Sequence, residues 1–219
     1  MIKQNTINDD ILVLDRGNEC VYIFNKEGKY IRKIGSPGQG PGDLLGARYF
    51  NITKDGEIYI YEDINVRFSI FSTNTGKYIN SFRKDISSGI FNFIFYQSDK
   101  ILSFENGSGY YITVRAKDGT LLNRLGEIKK YNKIQYINNL YLTGFICADK
   151  DKYIFVFESF PIIREYNVNG QLILEKIIDK QLEVNLKEYP DPSKYTEESI
   201  RSVKKQFNVY IIKIINYTC

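Results

Sequence analysis

Four short stretches decide the fold: Ile11-Leu12-Val13-Leu14-Asp15, Ile58-Tyr59-Ile60-Tyr61-Glu62, Ile101-Leu102-Ser103-Phe104-Glu105 and Ile154-Phe155-Val156-Phe157-Glu158. Each is an isoleucine, three mostly apolar residues and a carboxylate. The isoleucines stand 47, 43 and 53 residues apart, so the chain repeats itself with a unit of roughly 45 residues. A turn glycine follows each carboxylate after 12 to 14 residues and opens another apolar run: Gly28-Lys29-Tyr30-Ile31, Gly76-Lys77-Tyr78-Ile79, Gly119-Thr120-Leu121-Leu122 and Gly170-Gln171-Leu172-Ile173. Between carboxylate and glycine lies a further β-like run, at Val21–Asn25, Arg67–Phe71, Tyr110–Ala116 and Ile162–Tyr166. Ahead of each isoleucine lies one more, at Ile2–Ile7, Arg48–Thr53, Phe91–Tyr96 and Leu142–Ala148.

Each repeat therefore carries four short strands. The loops ahead of the turn glycines, such as Asn25-Lys26-Glu27-Gly28 and Asn167-Val168-Asn169-Gly170, have hairpin chemistry because Asn and Gly tolerate positive φ. Four antiparallel strands per unit, stacked around an axis, make the blade of a β-propeller. The near-continuous apolar run at the second strand fits a strand covered on both faces. Helical solenoids need a 3.6-residue period and leucine-rich repeats a shorter unit. The expected fold is all-β: about four four-stranded antiparallel blades over residues 1–180. Residues 181–219 are expected to be a helix-containing segment and the first strand of an incomplete fifth blade. Thr196 would cap that helix over Glu197–Phe207, with Glu197 and Glu198 in its first turn and Lys204 and Lys205 near its last. The strand would run over Asn208–Tyr217, and its open edge predicts self-association.

Composition narrows function mainly by exclusion. The 219 residues contain no histidine, which removes Ser-His-Asp and Cys-His nucleophile systems and every His-containing zinc site. Thirty basic and 26 acidic residues leave a net charge of +4, and the basic residues are scattered rather than gathered on one stripe, so no nucleic-acid partner is expected. No stretch approaches the roughly 18 apolar residues of a membrane span, and no signal-peptide pattern follows Met1, so the chain as written reads as soluble and unexported. Cys20, Cys147 and Cys219 form no CxxC pair, and their odd number points to reduced, structural thiols. The aromatic content of 15% leans toward strands, with Tyr59, Tyr61, Phe68, Phe71, Phe93, Phe95, Phe155 and Phe157 at core spacing.

With the repeats aligned, the segment after each carboxylate resembles the NHL repeat, whose pattern is Asp, two residues, Asn, one residue, Arg, a β-branched residue and a strand-ending Phe. The second copy carries Glu62, Asn65, Arg67, Phe68 and Phe71; the first carries Asp15, Asn18, Val21 and Phe24 but has Cys20 in place of Arg. The run Phe24-Asn25-Lys26-Glu27-Gly28-Lys29-Tyr30-Ile31, followed by Ile34-Gly35 and Gly38-Gln39-Gly40-Pro41-Gly42-Asp43, resembles the six-bladed β-propeller family of gut-bacterial envelope proteins. In that family a first blade ends in a GxGPGE-type loop, and Asp43 stands where Glu is usual. The resemblance implies an exported six-bladed parent in the cell envelope or periplasm, against which this chain reads as truncated. It supplies no catalytic residue.

Closing the propeller would bring the strand-end carboxylates Asp15, Glu62, Glu105 and Glu158 into a ring near one channel mouth. With Arg16, Asp63 and Arg67 from the same loops, these are the candidate ligand-binding residues. Such a ring could hold a cation, calcium being the candidate, and no other cofactor is called for. Equally, each carboxylate could accept N–H groups of its own loop or pair with the blade's arginine. The Gly-rich loop Gly35–Gly42 lacks the following helix and Lys-Ser/Thr pair of a phosphate cradle and reads as a rigid crossover between blades. The leading expectation is a non-catalytic module or scaffold that binds a protein or glycan. The alternative is a metal-dependent lactonase-like or hydrolase-like propeller using Asp, Glu and Asn ligands.

Overall fold

The computed structural model describes residues 1–83, 89–97, 99–105, 107–128, 143–158 and 162–177. Among these described residues, sixteen strands form four four-stranded sheets in which sequence neighbours are also spatial neighbours, the meander of a propeller blade. The first sheet holds β1 (Ile2–Gln4), β2 (Ile11–Asp15), β3 (Cys20–Phe24) and β4 (Tyr30–Ile34). The second holds β5 (Ala47–Ile52), β6 (Glu57–Glu62), β7 (Arg67–Ser72) and β8 (Tyr78–Arg83). The third holds β9 (Ile90–Tyr96), β10 (Lys100–Glu105), β11 (Tyr110–Ala116) and β12 (Leu121–Glu127). The fourth holds β13 (Gly144–Asp149), β14 (Lys152–Phe157), β15 (Ile162–Asn167) and β16 (Leu172–Ile177).

These bounds follow the repeat read from sequence to within a few residues. The largest difference is at the start, where the expected strand Ile2–Ile7 ends at Gln4. The cause is Asn5: its side-chain oxygen accepts the Ile7 N–H at 3.1 Å and its carbonyl accepts the Asp9 N–H at 2.9 Å. An asparagine that folds its own backbone into a turn removes those groups from the ladder.

The second strand shows why its apolar run is unbroken. Along β6, Ile58 and Ile60 join a core cluster with Leu12, Leu14, Val21, Ile23 and Ile34 of the first blade, while Tyr59 and Tyr61 join another with Ile90, Phe93 and Ile101 of the third. Side chains alternate across a strand, so a strand covered on both faces needs an apolar residue at every position. The outer strands read differently. In β16 every described side chain is exposed, and in β12 most are, because that edge faces water. The hairpins close on the expected chemistry: the Asn25 side chain accepts the Lys29 N–H at 2.8 Å and Gly28 sits at φ 80°.

The chain divides into two compact units, Met1–Ile101 with Arg115–Leu121, and Leu102–Val114 with Leu122 onward. The first unit contains both clusters just described. The second is built on aromatic packing: Phe155 lies 5.5 Å from Phe104 and 4.9 Å from Tyr111, and the Arg164 guanidinium stands over Tyr111 and Phe157 while its Nε donates to Glu175 at 2.6 Å.

The expected helix at Glu197–Phe207, the strand at Asn208–Tyr217 and the division near residue 180 lie outside the described residues. The reduced-thiol expectation holds for Cys20, which is buried and free, but needs correcting for Cys147, which is disulfide-bonded. Among the described residues no helix is long and apolar enough to cross a membrane.

Candidate functional site

A cleft of about 490 Å³ opens in the first unit, lined by Arg16, Gly17, Glu19, Gly46, Ala47, Arg48, Asp63 and Ile64. Two equivalent loops wall it, the β2–β3 turn of the first blade and the β6–β7 turn of the second. The start of β5 forms its floor. Asp15 pairs with Cys20 and Glu62 with Arg67 in register, so each loop holds four residues and points the same end of its blade toward the cleft.

Glu19 joins the two blades. Its Oε1 accepts the Gly46 N–H at 3.0 Å and its Oε2 the Ala47 N–H at 2.8 Å, so one carboxylate holds the backbone where the second blade begins. Gly46 sits at φ 75°, and a Cβ there would lie 2.3 Å from Asp63 Oδ1 and 2.8 Å from the Ile64 nitrogen. Only glycine allows the floor to press so closely against the second loop, and the Asp63 N–H donates to the Gly46 carbonyl at 2.9 Å. The Arg48 Nε donates to Asp63 Oδ2. Arg16 is exposed and has no hydrogen-bond or ion-pair partner among the described residues. Ile64 is 64% exposed.

Behind the cleft lies a buried polar node. Glu62 is fully buried and accepts four donors: the Leu45 N–H at 2.9 Å, Asn65 Nδ2 at 2.7 Å, Arg67 Nε at 2.8 Å and Ser69 Oγ at 2.5 Å. Arg67 continues outward from it to the carbonyls of Gln39, Gly40 and Asp43 at 3.1, 3.3 and 2.8 Å. The Gly-rich crossover is thereby stitched down. It also closes on itself, with Ser36 Oγ and the Gly40 N–H donating to the Asp43 carboxylate.

The sequence candidates thus divide. Arg16 and Asp63 line the cleft. Asp15 binds its own loop through the N–H groups of Gly17 and Asn18 and the Asn18 amide; the last of these is the chief cause holding its carboxyl below the ordinary value. Glu62 and Arg67 form the buried node behind the cleft. Glu105, in the second unit, is fully buried and accepts Ser103 Oγ at 3.0 Å, and Glu158 is half-buried with its N–H on the Thr143 carbonyl. Among the described residues no three His, Cys, Asp or Glu side chains lie close enough to hold a metal ion. Sequence reasoning passed over Glu19, Arg48 and Ile64. The signal for Glu19 is weak, since φ 47° at this non-glycine residue emerges only with the backbone, and Arg48 sits inside a stretch read simply as strand.

The family model for 6-bladed beta-propellers, DUF5128, matches residues 3–143. The chain belongs to this family. Solved β-propellers resemble this DUF5128 chain in fold. A protein of Bacteroides fragilis described as exported is 15% identical with a TM-score of 0.58, covering 78% of this chain and 48% of that one. Virginiamycin B lyase from Staphylococcus aureus is 14% identical with a TM-score of 0.59, covering 82% and 55%, and a streptogramin B lyase is 13% identical with a TM-score of 0.58, covering 80% and 52%. This DUF5128 chain therefore spans about half the length of the solved chains it matches, and at such identities the likeness is one of fold alone. No curated protein matches its sequence.

Proposed function

We propose that the chain is a non-catalytic binding or scaffold module whose recognition site is the cleft between the first two blades, with a protein or a glycan as its partner. One observation carries this reading. The cleft offers open guanidinium donors and an exposed apolar side chain, whereas the carboxylates that line or back it are turned to other groups: Glu19 to two backbone N–H groups, Asp63 to Arg48 through Oδ2 with Oδ1 packed against Gly46, Asp15 to its own loop and Glu62 to four donors. A general base or nucleophile must have a free lone pair facing the substrate, and donors without such a base suit recognition.

The test is equilibrium binding of the purified chain to arrayed proteins and glycans, with Arg16→Ala/Arg48→Ala beside the wild type. Equal binding by both, or turnover of a bound ligand, would overturn the reading. The metal-dependent alternative requires a calcium-induced rise in melting temperature that Glu62→Ala and Glu105→Ala abolish; no such rise is expected. An envelope location is proposed on the likeness to an exported propeller. A cytoplasmic pool in fractionated cells of the source organism would count against it.

A further inference from the structure

We propose that the cleft takes a protein segment in which an acidic side chain lies beside an aliphatic one; this rests on the reading of the cleft as a binding site and adds the class of its occupant. Three features of the lining support this assignment. The first is charge. Arg16 has no partner among the described residues, and Arg48 gives only its Nε to Asp63, so both terminal nitrogens of Arg48 and the whole Arg16 guanidinium remain open. Guanidinium donors form a rigid fork that matches a carboxylate, and a charge-assisted bond of this type is roughly twice as strong as a neutral one. The lining also carries Glu19 and Asp63, so its charges balance; but both oxygens of Glu19 are taken by the backbone N–H groups of Gly46 and Ala47 and Asp63 takes only the Arg48 Nε, which leaves the terminal guanidinium N–H groups as directed donors.

The second feature is Ile64, a β-branched side chain held out at the rim with 64% of its surface in water. Its backbone cannot withdraw, since Gly46 packs against it, so the apolar surface is presented in a fixed place next to the two arginines. The third is composition. In a chain with 18 tyrosines and 14 phenylalanines, no aromatic residue among the described ones lines the cleft. Sugar recognition draws on aromatic faces against the apolar face of the pyranose ring, and this cleft has none to offer. An aliphatic wall beside open guanidinium groups suits a peptide carrying Asp or Glu next to Ile, Leu or Val.

The experiment uses the full 219-residue chain and three probes in fluorescence polarisation: a labelled pool of short peptides built from Asp or Glu with Ile, Leu or Val, the same pool with Asn and Gln in place of the acids, and an oligogalacturonate as a carboxylate-bearing glycan. Arg16→Ala and Ile64→Ser are the site variants, and Lys26→Ala, on the exposed Lys26–Glu27 pair, is the control. Thermal melts would check that each variant folds; Arg16 and Ile64 are exposed, so neither substitution should disturb the core. The wild type should prefer the acidic over the amide pool by about tenfold, the worth of one charge-assisted bond. Arg16→Ala should cut that preference to under about threefold, Ile64→Ser should weaken both pools together, and Lys26→Ala should change neither. Arg16-dependent binding of the oligogalacturonate with none of either pool would overturn the peptide assignment while leaving the cleft a binding site. Peptide binding that both site variants retain would overturn the cleft reading itself. Equal binding of the acidic and amide pools by the wild type, or binding of no probe, would also overturn the assignment.

Discussion

Arg67→Met tests whether the second blade depends on its buried ion pair. Its partner Glu62 has no exposed surface, and the Arg67 side chain is 10% exposed. Removing the guanidinium strands a buried carboxylate with only Asn65, Ser69 and the Leu45 N–H to hold its charge. Breaking such a pair by deleting one partner costs about 3–5 kcal/mol, far more than the pair's net contribution, because desolvation of the survivor is no longer offset. Three carbonyls of the Gly-rich crossover lose a donor as well, although water can reach that surface. For a chain of this length about 1 kcal/mol corresponds to roughly 2–4 °C, so the melting temperature should fall by about 6–20 °C.

The decisive comparison is the double variant Glu62→Met/Arg67→Met, which removes both charges and leaves apolar volume behind. It should be clearly more stable than the sum of the single losses predicts, with a coupling of at least about 2 kcal/mol. Urea midpoints of the two singles and the double, at unchanged m, give that number. Additive losses, or an Arg67→Met loss under about 1 kcal/mol, would refute the argument that the stranded charge dominates.

Three further expectations follow from the same region. Val66 holds φ 51°, a left-handed conformation costly for a β-branched side chain, so Val66→Asn should raise stability by up to about 1 kcal/mol, read as a melting shift of roughly 2–4 °C. Gly46→Ala should cost about 2–4 kcal/mol in chemical denaturation, since the new methyl would meet Asp63 and the Ile64 backbone at a positive φ, and a neutral outcome would mean the floor can yield. Asp15 is stabilised in its charged form by the Asn18 amide, then by the N–H groups of Asn18 and Gly17. Its folded pKa is depressed, so its contribution is complete above the unfolded value of about 3.9 and fades as pH falls through the folded one. The melting curves of wild type and Asp15→Asn should therefore differ at pH 7 and converge in acid; a constant offset would sink the assignment.

The fold was legible because every repeat states the same local rules twice, once as an apolar strand ending in a carboxylate and once as a turn glycine. Burial of β6 on both faces forces Ile58-Tyr59-Ile60-Tyr61 to be apolar throughout, and such a run survives in a bare sequence. The site was only half legible. Arg16 and Asp63 could be named because they adjoin the recurring carboxylates. Glu19, Arg48 and Ile64 belong to no repeat pattern, and their meaning arises only when two loops 47 residues apart in the chain are brought side by side.

The carboxylate position also shows how one repeat yields different local solutions. In the second blade Glu62 meets Arg67 across the strand pair, and that arginine reaches on to Gln39, Gly40 and Asp43. In the first blade the cross-strand partner of Asp15 is Cys20, a buried neutral thiol that offers no ion pair and only a weak donor, so Asp15 turns to its own loop. With no arginine there, the tie to the crossover passes to the neighbouring residue, Glu19, which grips Gly46 and Ala47. The crossover is consequently held at Gln39–Asp43 by Arg67, at Leu45 by Glu62 and at Gly46–Ala47 by Glu19. A floor fixed at so many points holds Arg48, through Asp63, and the backbone of Ile64 in place, whereas the partnerless Arg16 side chain would give up rotamer freedom to any ligand the cleft took.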